Sequence, residues 1–118
     1  MAPDEIAATI RASLASVPSM HEVKMFGGTG FMLNGNMLVA VSKRGLLVRV
    51  GESGQAEALS QPGTRAMEMR GRVMQGYVFV APEALTEASI PSWLALARCF
   101  VETLPTKSNA AAKKGKKT

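Results

Sequence analysis

An α+β domain built on one antiparallel sheet is what this sequence predicts, and three observations carry the prediction. Apolar residues recur at helical spacing in one segment near each end of the chain. Between those segments lie short apolar runs of strand length. The runs are divided by turn-forming groups, of which Asn34-Gly35 is the strongest hairpin signal. Strands joined by tight turns pair antiparallel, and two amphipathic helices must bury their stripes against a sheet face. The predicted order is α–β–β–β–β–(short α)–β–β–α.

The first helix is read from about Asp4 to Ser16, where Ile6, Ile10, Leu14 and Val17 form one stripe. Pro3 and two acids sit at its positive end, and Pro18 stops it. Glu22 to Phe26 reads as a strand that Gly27-Gly28-Thr29-Gly30 breaks. Phe31 to Leu33 and Met37 to Ser42 flank the Asn34-Gly35 turn, and Lys43-Arg44-Gly45 turns into Leu46 to Val50. The polar stretch from Gly51 to Gly63 holds a short helix near Ala56 to Ser60. Ala66 to Met69 and Val73 to Val80 read as two strands joined by Arg70-Gly71-Arg72. The last helix, about Ile90 to Leu104, puts Trp93, Leu94, Ala97, Val101 and Leu104 on one face, with Ser89 as the expected N-cap. Residues 1–105 form the domain, and 106–118 read as a disordered, lysine-rich tail without apolar periodicity.

Charge divides along the same boundary. The chain carries a formal +5, but residues 1–105 hold nine basic and nine acidic side chains. The excess is therefore Lys107, Lys113, Lys114, Lys116 and Lys117. These lysines are candidates for sequence-blind phosphate contacts, or they only solubilise the chain. DNA bound this way would be held weakly and by the tail. No apolar run reaches the roughly 18 residues that cross a membrane. The acidic start lacks the basic opening of a secretory signal, and the lone Cys99 forms no internal disulfide, so a reducing, cytoplasmic setting is expected.

No catalytic constellation is readable. Phosphate loops place their glycines between a strand and a helix, whereas Gly27 to Gly30 lead into a strand, so a kink or bulge at the sheet edge is expected. The eight methionines suit flexible core filling, with a methionine-lined partner surface as the alternative. His21 and Cys99 are too few for a zinc site, and Cys99 is expected to be partly buried. Tyr77 and Phe79 share one strand face, where core packing is expected. Arg70 and Arg72 flank a turn glycine and are candidates for phosphate or partner contacts. The reading therefore contains no catalytic, cofactor or metal residues.

Met25-Phe26-Gly27-Gly28 with Gly30, an apolar strand, an Asn-Gly turn and a second apolar strand resemble the opening of the TfoX (Sxy) N-terminal domain of bacterial competence regulators. Arg70-Gly71-Arg72, Tyr77, Val80 and Pro82 resemble that family's later hairpin and its step into the final helix. The likeness spans about residues 5–104. It implies an αβββαββα fold of the secretion-chaperone-like type, in a stand-alone single-domain member, and supplies no catalytic residues. Three functions follow as expectations. A non-enzymatic protein-docking or self-association module predicts a broad apolar surface patch and an oligomer. A DNA-associated transcription factor requires Arg49, Arg65, Arg70 and Arg72 on one face. A small-molecule binder or enzyme requires a deep polar pocket.

Overall fold

A computed structural model describes residues 1–25 and 27–106, apart from the side chains of Met25 and Met69. The elements are α1 (Pro3–Ser13), β1 (Met20–Met25), β2 (Gly28–Leu33), β3 (Asn36–Ser42), β4 (Gly45–Arg49), α2 (Glu52–Leu59), β5 (Thr64–Met69), β6 (Arg72–Val80), a 3-10 turn at Pro82–Ala84, and α3 (Ser89–Val101). This is the predicted order, with one more strand ahead of α2 than the αβββαββα pattern. Every pairing is antiparallel, and the sheet runs β1-β2-β3-β4-β6-β5. Residues 107–118 of the tail, with all five of its lysines, lie outside the described residues.

Local chemistry sets the boundaries. In α1, Pro3 occupies the first turn, and the Glu5 carboxylate accepts a hydrogen bond from the Ala2 N–H at 3.0 Å. The helix ends at Ser13, earlier than the stripe suggests, and Leu14 stays buried just beyond it. At the start of α3 the expected cap is shared. Ser89 Oγ accepts from the Thr86 N–H at 2.9 Å, and Thr86 Oγ1 accepts from the Ser89 N–H at 3.0 Å. Ser89 is thus the inner partner of a reciprocal cap that Thr86 opens. Two hairpins turn on residue pairs with positive φ, Asn34 (54°) with Gly35 (81°) and Arg70 (55°) with Gly71 (78°). That conformation matches the right-handed twist of the flanking strands.

Register decides which side chains meet the helices. Val39 pairs with Val48 and Val48 with Val78, while Val41 pairs with Leu46 and Leu46 with Val80. Phe31 joins the row opposite Val39. These residues share one buried cluster with Ile6 and Ile10 of α1, Ala58 of α2, and Ile90, Trp93, Leu94, Ala97 and Val101 of α3. All three helices therefore cover one face of the sheet. A register shift at Phe31/Met32 turns both Leu38 and Val39 into this core.

One surface ion pair links α1 to β1. Arg11 Nε lies 2.6 Å from Glu22 Oε2, and Arg11 Nη2 lies 2.8 Å from Oε1, a bidentate pair. The hydrogen bond from Arg11 is the main cause that holds the Glu22 carboxyl below its ordinary value, against a small opposing effect of burial. A depressed carboxyl stabilises the fold above its unfolded pKa and loses that contribution as pH falls through the folded value. Glu22→Gln is therefore expected to lower the urea midpoint slightly at pH 7, and by less as pH falls through the folded value. The effect is small, because both partners are exposed.

Candidate docking face

The opposite face of the sheet carries no helix among the described residues, and register assigns its side chains. Leu47 pairs with Phe79 and Arg49 with Tyr77, both one position out of phase with the core valines. Arg65 pairs with Phe79 from the other side. Tyr77 and Phe79 do share a face, as expected, but it is the outer one, and neither belongs to the core cluster. The expected core packing holds for Phe79 only as burial on the outer side, at 7% exposed and apart from the cluster beneath the helices, and Tyr77 is half-buried. Phase along a strand fixes which residues share a face, and only pairing with β4 fixes which face that is.

Arginines cover these rings. The Arg44 guanidinium, from the β3–β4 turn, stands 5.1 Å from the centre of the Phe79 ring, and that of Arg65 stands 5.4 Å from it. Arg49 lies 5.8 Å from the Tyr77 ring and 5.6 Å from Phe100 of α3, and donates from Nη1 to the Met37 carbonyl at 3.5 Å. Such contacts hold a guanidinium flat on an apolar ring while leaving its charge uncompensated. The described residues form two salt bridges, Arg11–Glu22 and Arg98–Glu102, and neither involves Arg44, Arg49 or Arg65. The four central strands, β2, β3, β4 and β6, contain no acidic residue. The domain is formally neutral, yet its outer sheet face is positive.

Met1 and Met20 pack, partly buried, against the core. None of the described methionines is among the buried core residues, and Met32 and Met37 face each other across β2 and β3 on the outer side, half-buried. The strand phase that buries Phe31 and Val39 turns them outward. They line the partner-surface alternative.

The motif glycines act on the backbone. Gly27 makes the β1–β2 turn at φ 75°, and Gly28 and Gly30 lie inside β2. The expected break at Gly27 to Gly30 is thus confined to the connection that precedes Gly28, and the bulge sits further along at Phe31/Met32. A Cβ on Gly28 would overlap the Val41 carbonyl oxygen, so β2 approaches β3 only because that residue is bare. Met25 ends β1, and Phe26 lies outside the described residues.

The remaining candidates are dispersed. His21 pairs with Met32 on the outer face, whereas Cys99 is exposed on α3, across the sheet from it. Cys99 was expected to be partly buried, but it falls outside the Trp93–Leu94–Ala97–Val101 stripe that packs on the sheet. Among the described residues no group of three or more His, Cys, Asp or Glu is placed to hold a metal. Arg70 and Arg72 sit at the tip of the β5–β6 hairpin, past the register shift that follows Ala66, so Arg49 and Arg65 are joined by Arg44 and not by them. An open cleft of about 640 Å³ lies between the start of α1 and the β1–β2 turn. It is lined by Lys24, Lys43 and the opposing Asp4. A smaller one of about 410 Å³ borders Arg49, Gly76 and Phe100. Gln55 beside it is buried with both ends of its amide engaged, by the Gly76 N–H and the Tyr77 carbonyl. No described helix is long and apolar enough to cross a membrane.

No curated protein and no solved structure matches the chain. The model of the TfoX N-terminal domain does match, over residues 12–99, which takes in every strand, all of α2 and most of α3. The chain belongs to the TfoX N-terminal domain family.

Proposed function

We propose that this protein is a non-enzymatic interaction module, of the kind a competence-type regulator uses, and that it works by docking a protein on its outer sheet face. The observation that carries the reading is the exposed face itself, where arginines, aromatic rings and methionines replace a second helix layer. Arginine, methionine and aromatic residues are the types enriched at protein interfaces, while lysine and acids are depleted there. Strands β2, β3, β4 and β6 carry neither lysine nor acid. Face-to-face self-association is disfavoured, because it would bring the same arginines together. Among the described residues the large exposed apolar side chains, Val23, Leu59 and Val73, belong to β1, α2 and the β5–β6 tip, so they do not form the broad apolar patch expected of a docking or self-associating module.

The test is capture from native cells by the full chain, with and without nuclease. A specific protein should be retained after nuclease treatment and lost from Met37→Glu, whose circular dichroism should be unchanged. Retention that vanishes with nuclease, or persists undiminished in Met37→Glu, overturns this reading. The second reading is a DNA-associated transcription factor, favoured by the placement of Arg49 and Arg65 on one face. It predicts nuclease-sensitive retention carried by this face together with the tail lysines.

A further inference from the structure

We infer that the outer sheet face is built for an acidic protein segment, one that sets carboxylates on Arg44 and Arg65 and apolar side chains on Met32, Met37 and Leu47. The inference rests on the docking reading above and specifies the chemistry of the partner.

Three observations support it. First, the charge of the domain is polarised. Its nine acids are Asp4, Glu5, Glu22, Glu52, Glu57, Glu68, Glu83, Glu87 and Glu102. Asp4 and Glu5 lie on α1, Glu52 and Glu57 on α2, and Glu83, Glu87 and Glu102 on the connections around α3. Glu22 is held by Arg11 toward α1, and Glu68 lies at the edge strand past the register shift. A domain neutral by count thus gathers Arg44 and Arg65, which are in no salt bridge, over one ring of the outer face. Second, Arg44 and Arg65 share the Phe79 ring, so a single short extended segment reaches both. Neither guanidinium is in a salt bridge among the described residues, which leaves N–H donors for a carboxylate. The Phe79 ring orders both groups beforehand and so reduces the entropy lost on binding. Third, the ground between the arginines is apolar. Leu47 and Phe79, 9% and 7% exposed, pair with each other, Ala40 pairs with Leu47, and Met32 and Met37 pair further along β2 and β3.

That third feature separates a peptide from a nucleic acid. Single strands bind by stacking bases on free aromatic faces. Here Phe79 is buried beneath its arginines, and Arg49 lies over Tyr77. A phosphate backbone would meet the apolar ground between the arginines with nothing to bury there. An acidic segment with intervening apolar side chains satisfies both.

The test selects from a random 12-residue peptide library displayed on phage, using the full chain and the double variant Arg44→Glu/Arg65→Glu. Both positions are exposed, so the variant should keep its circular dichroism and melting midpoint. Arg44→Gln/Arg65→Gln provides a second variant without charge reversal. Wild type is expected to enrich peptides that combine Asp or Glu with apolar residues. Synthetic copies of those peptides should bind about tenfold or more weakly to either variant. Removing residues 106–118 should leave that affinity unchanged. Enrichment of apolar peptides without acidic bias would overturn the inference while leaving the docking reading intact. So would an acidic bias that survives in both variants. No enrichment at all would overturn the inference, and capture of a nuclease-resistant protein would then decide the docking reading separately. If instead a mixed-sequence 20-base-pair duplex or a 12-nucleotide single strand loses about tenfold in affinity in the variants, and acidic peptides are not enriched, the occupant is a nucleic acid and the inference falls.

Discussion

Phe31→Ala is expected to remove about 3–5 kcal/mol of unfolding free energy. Phe31 is 2% exposed and is the largest of the fully buried side chains. It stands on β2 where the register shifts, opposite Val39, and belongs to the same cluster as Ile6 and Ile10 of α1. Truncation forfeits the transfer free energy of the ring and leaves a hole that a sheet held on both sides of β2 cannot collapse into. Domains of this size have about 5–15 kcal/mol in total, so the loss consumes a large share. At roughly 4–8 °C per kcal/mol, the melting midpoint should fall by at least about 12 °C. Leu59→Ala is the control, because Leu59 is 36% exposed on α2, and its cost should stay within about 0.5 kcal/mol. Urea melts of the three proteins decide the matter. A Phe31→Ala cost below about 1 kcal/mol would place the ring outside the working core.

The same residue shows what periodicity reveals and what it conceals. Phe31 and Leu33 are readable as strand residues because the Asn34-Gly35 turn follows them. Ile6 and Ile10, and Trp93 through Val101, are readable as buried stripes because only one face of each helix is apolar. All of that is local. What the chain does not display is the pairing of β4 with β6, since α2 and β5 intervene in sequence. That pairing sets the phase of Tyr77 and Phe79 and turns them outward under Arg49, Arg44 and Arg65. Net charge conceals the same fact. Equal numbers of acids and bases sum to zero whichever way they face, and only the three-dimensional arrangement separates them. Arg44 drew no notice as part of a turn, although a turn residue can reach back over its own hairpin. The sequence does carry one trace of this face, the absence of any acid from the segments that form β2, β3, β4 and β6.

Glycine 28 tests whether the motif at the start of β2 builds the sheet or serves a ligand. Gly28→Ala is expected to destabilise by about 3 kcal/mol, at the upper end of what overpacking costs. The added Cβ meets the Val41 carbonyl oxygen, which is backbone and has no rotamer to change. Relief requires β2 to draw away from β3 where Thr29 pairs with Val41, opening the sheet next to its β1 edge. Gly27→Ala provides the comparison. Its Cβ meets nothing within 4 Å, so its cost comes from φ 75° alone, about 1–2 kcal/mol. The expected order is therefore Gly28→Ala well below Gly27→Ala in melting midpoint, and Gly27→Ala below wild type. Peptide binding at 10 °C, where both variants remain folded, should still depend on Arg44 and Arg65, because these stand on Phe79 from the β3–β4 turn and β5. A Gly28→Ala protein with an unchanged midpoint and lost binding would move the motif from the frame of the sheet to its docking surface.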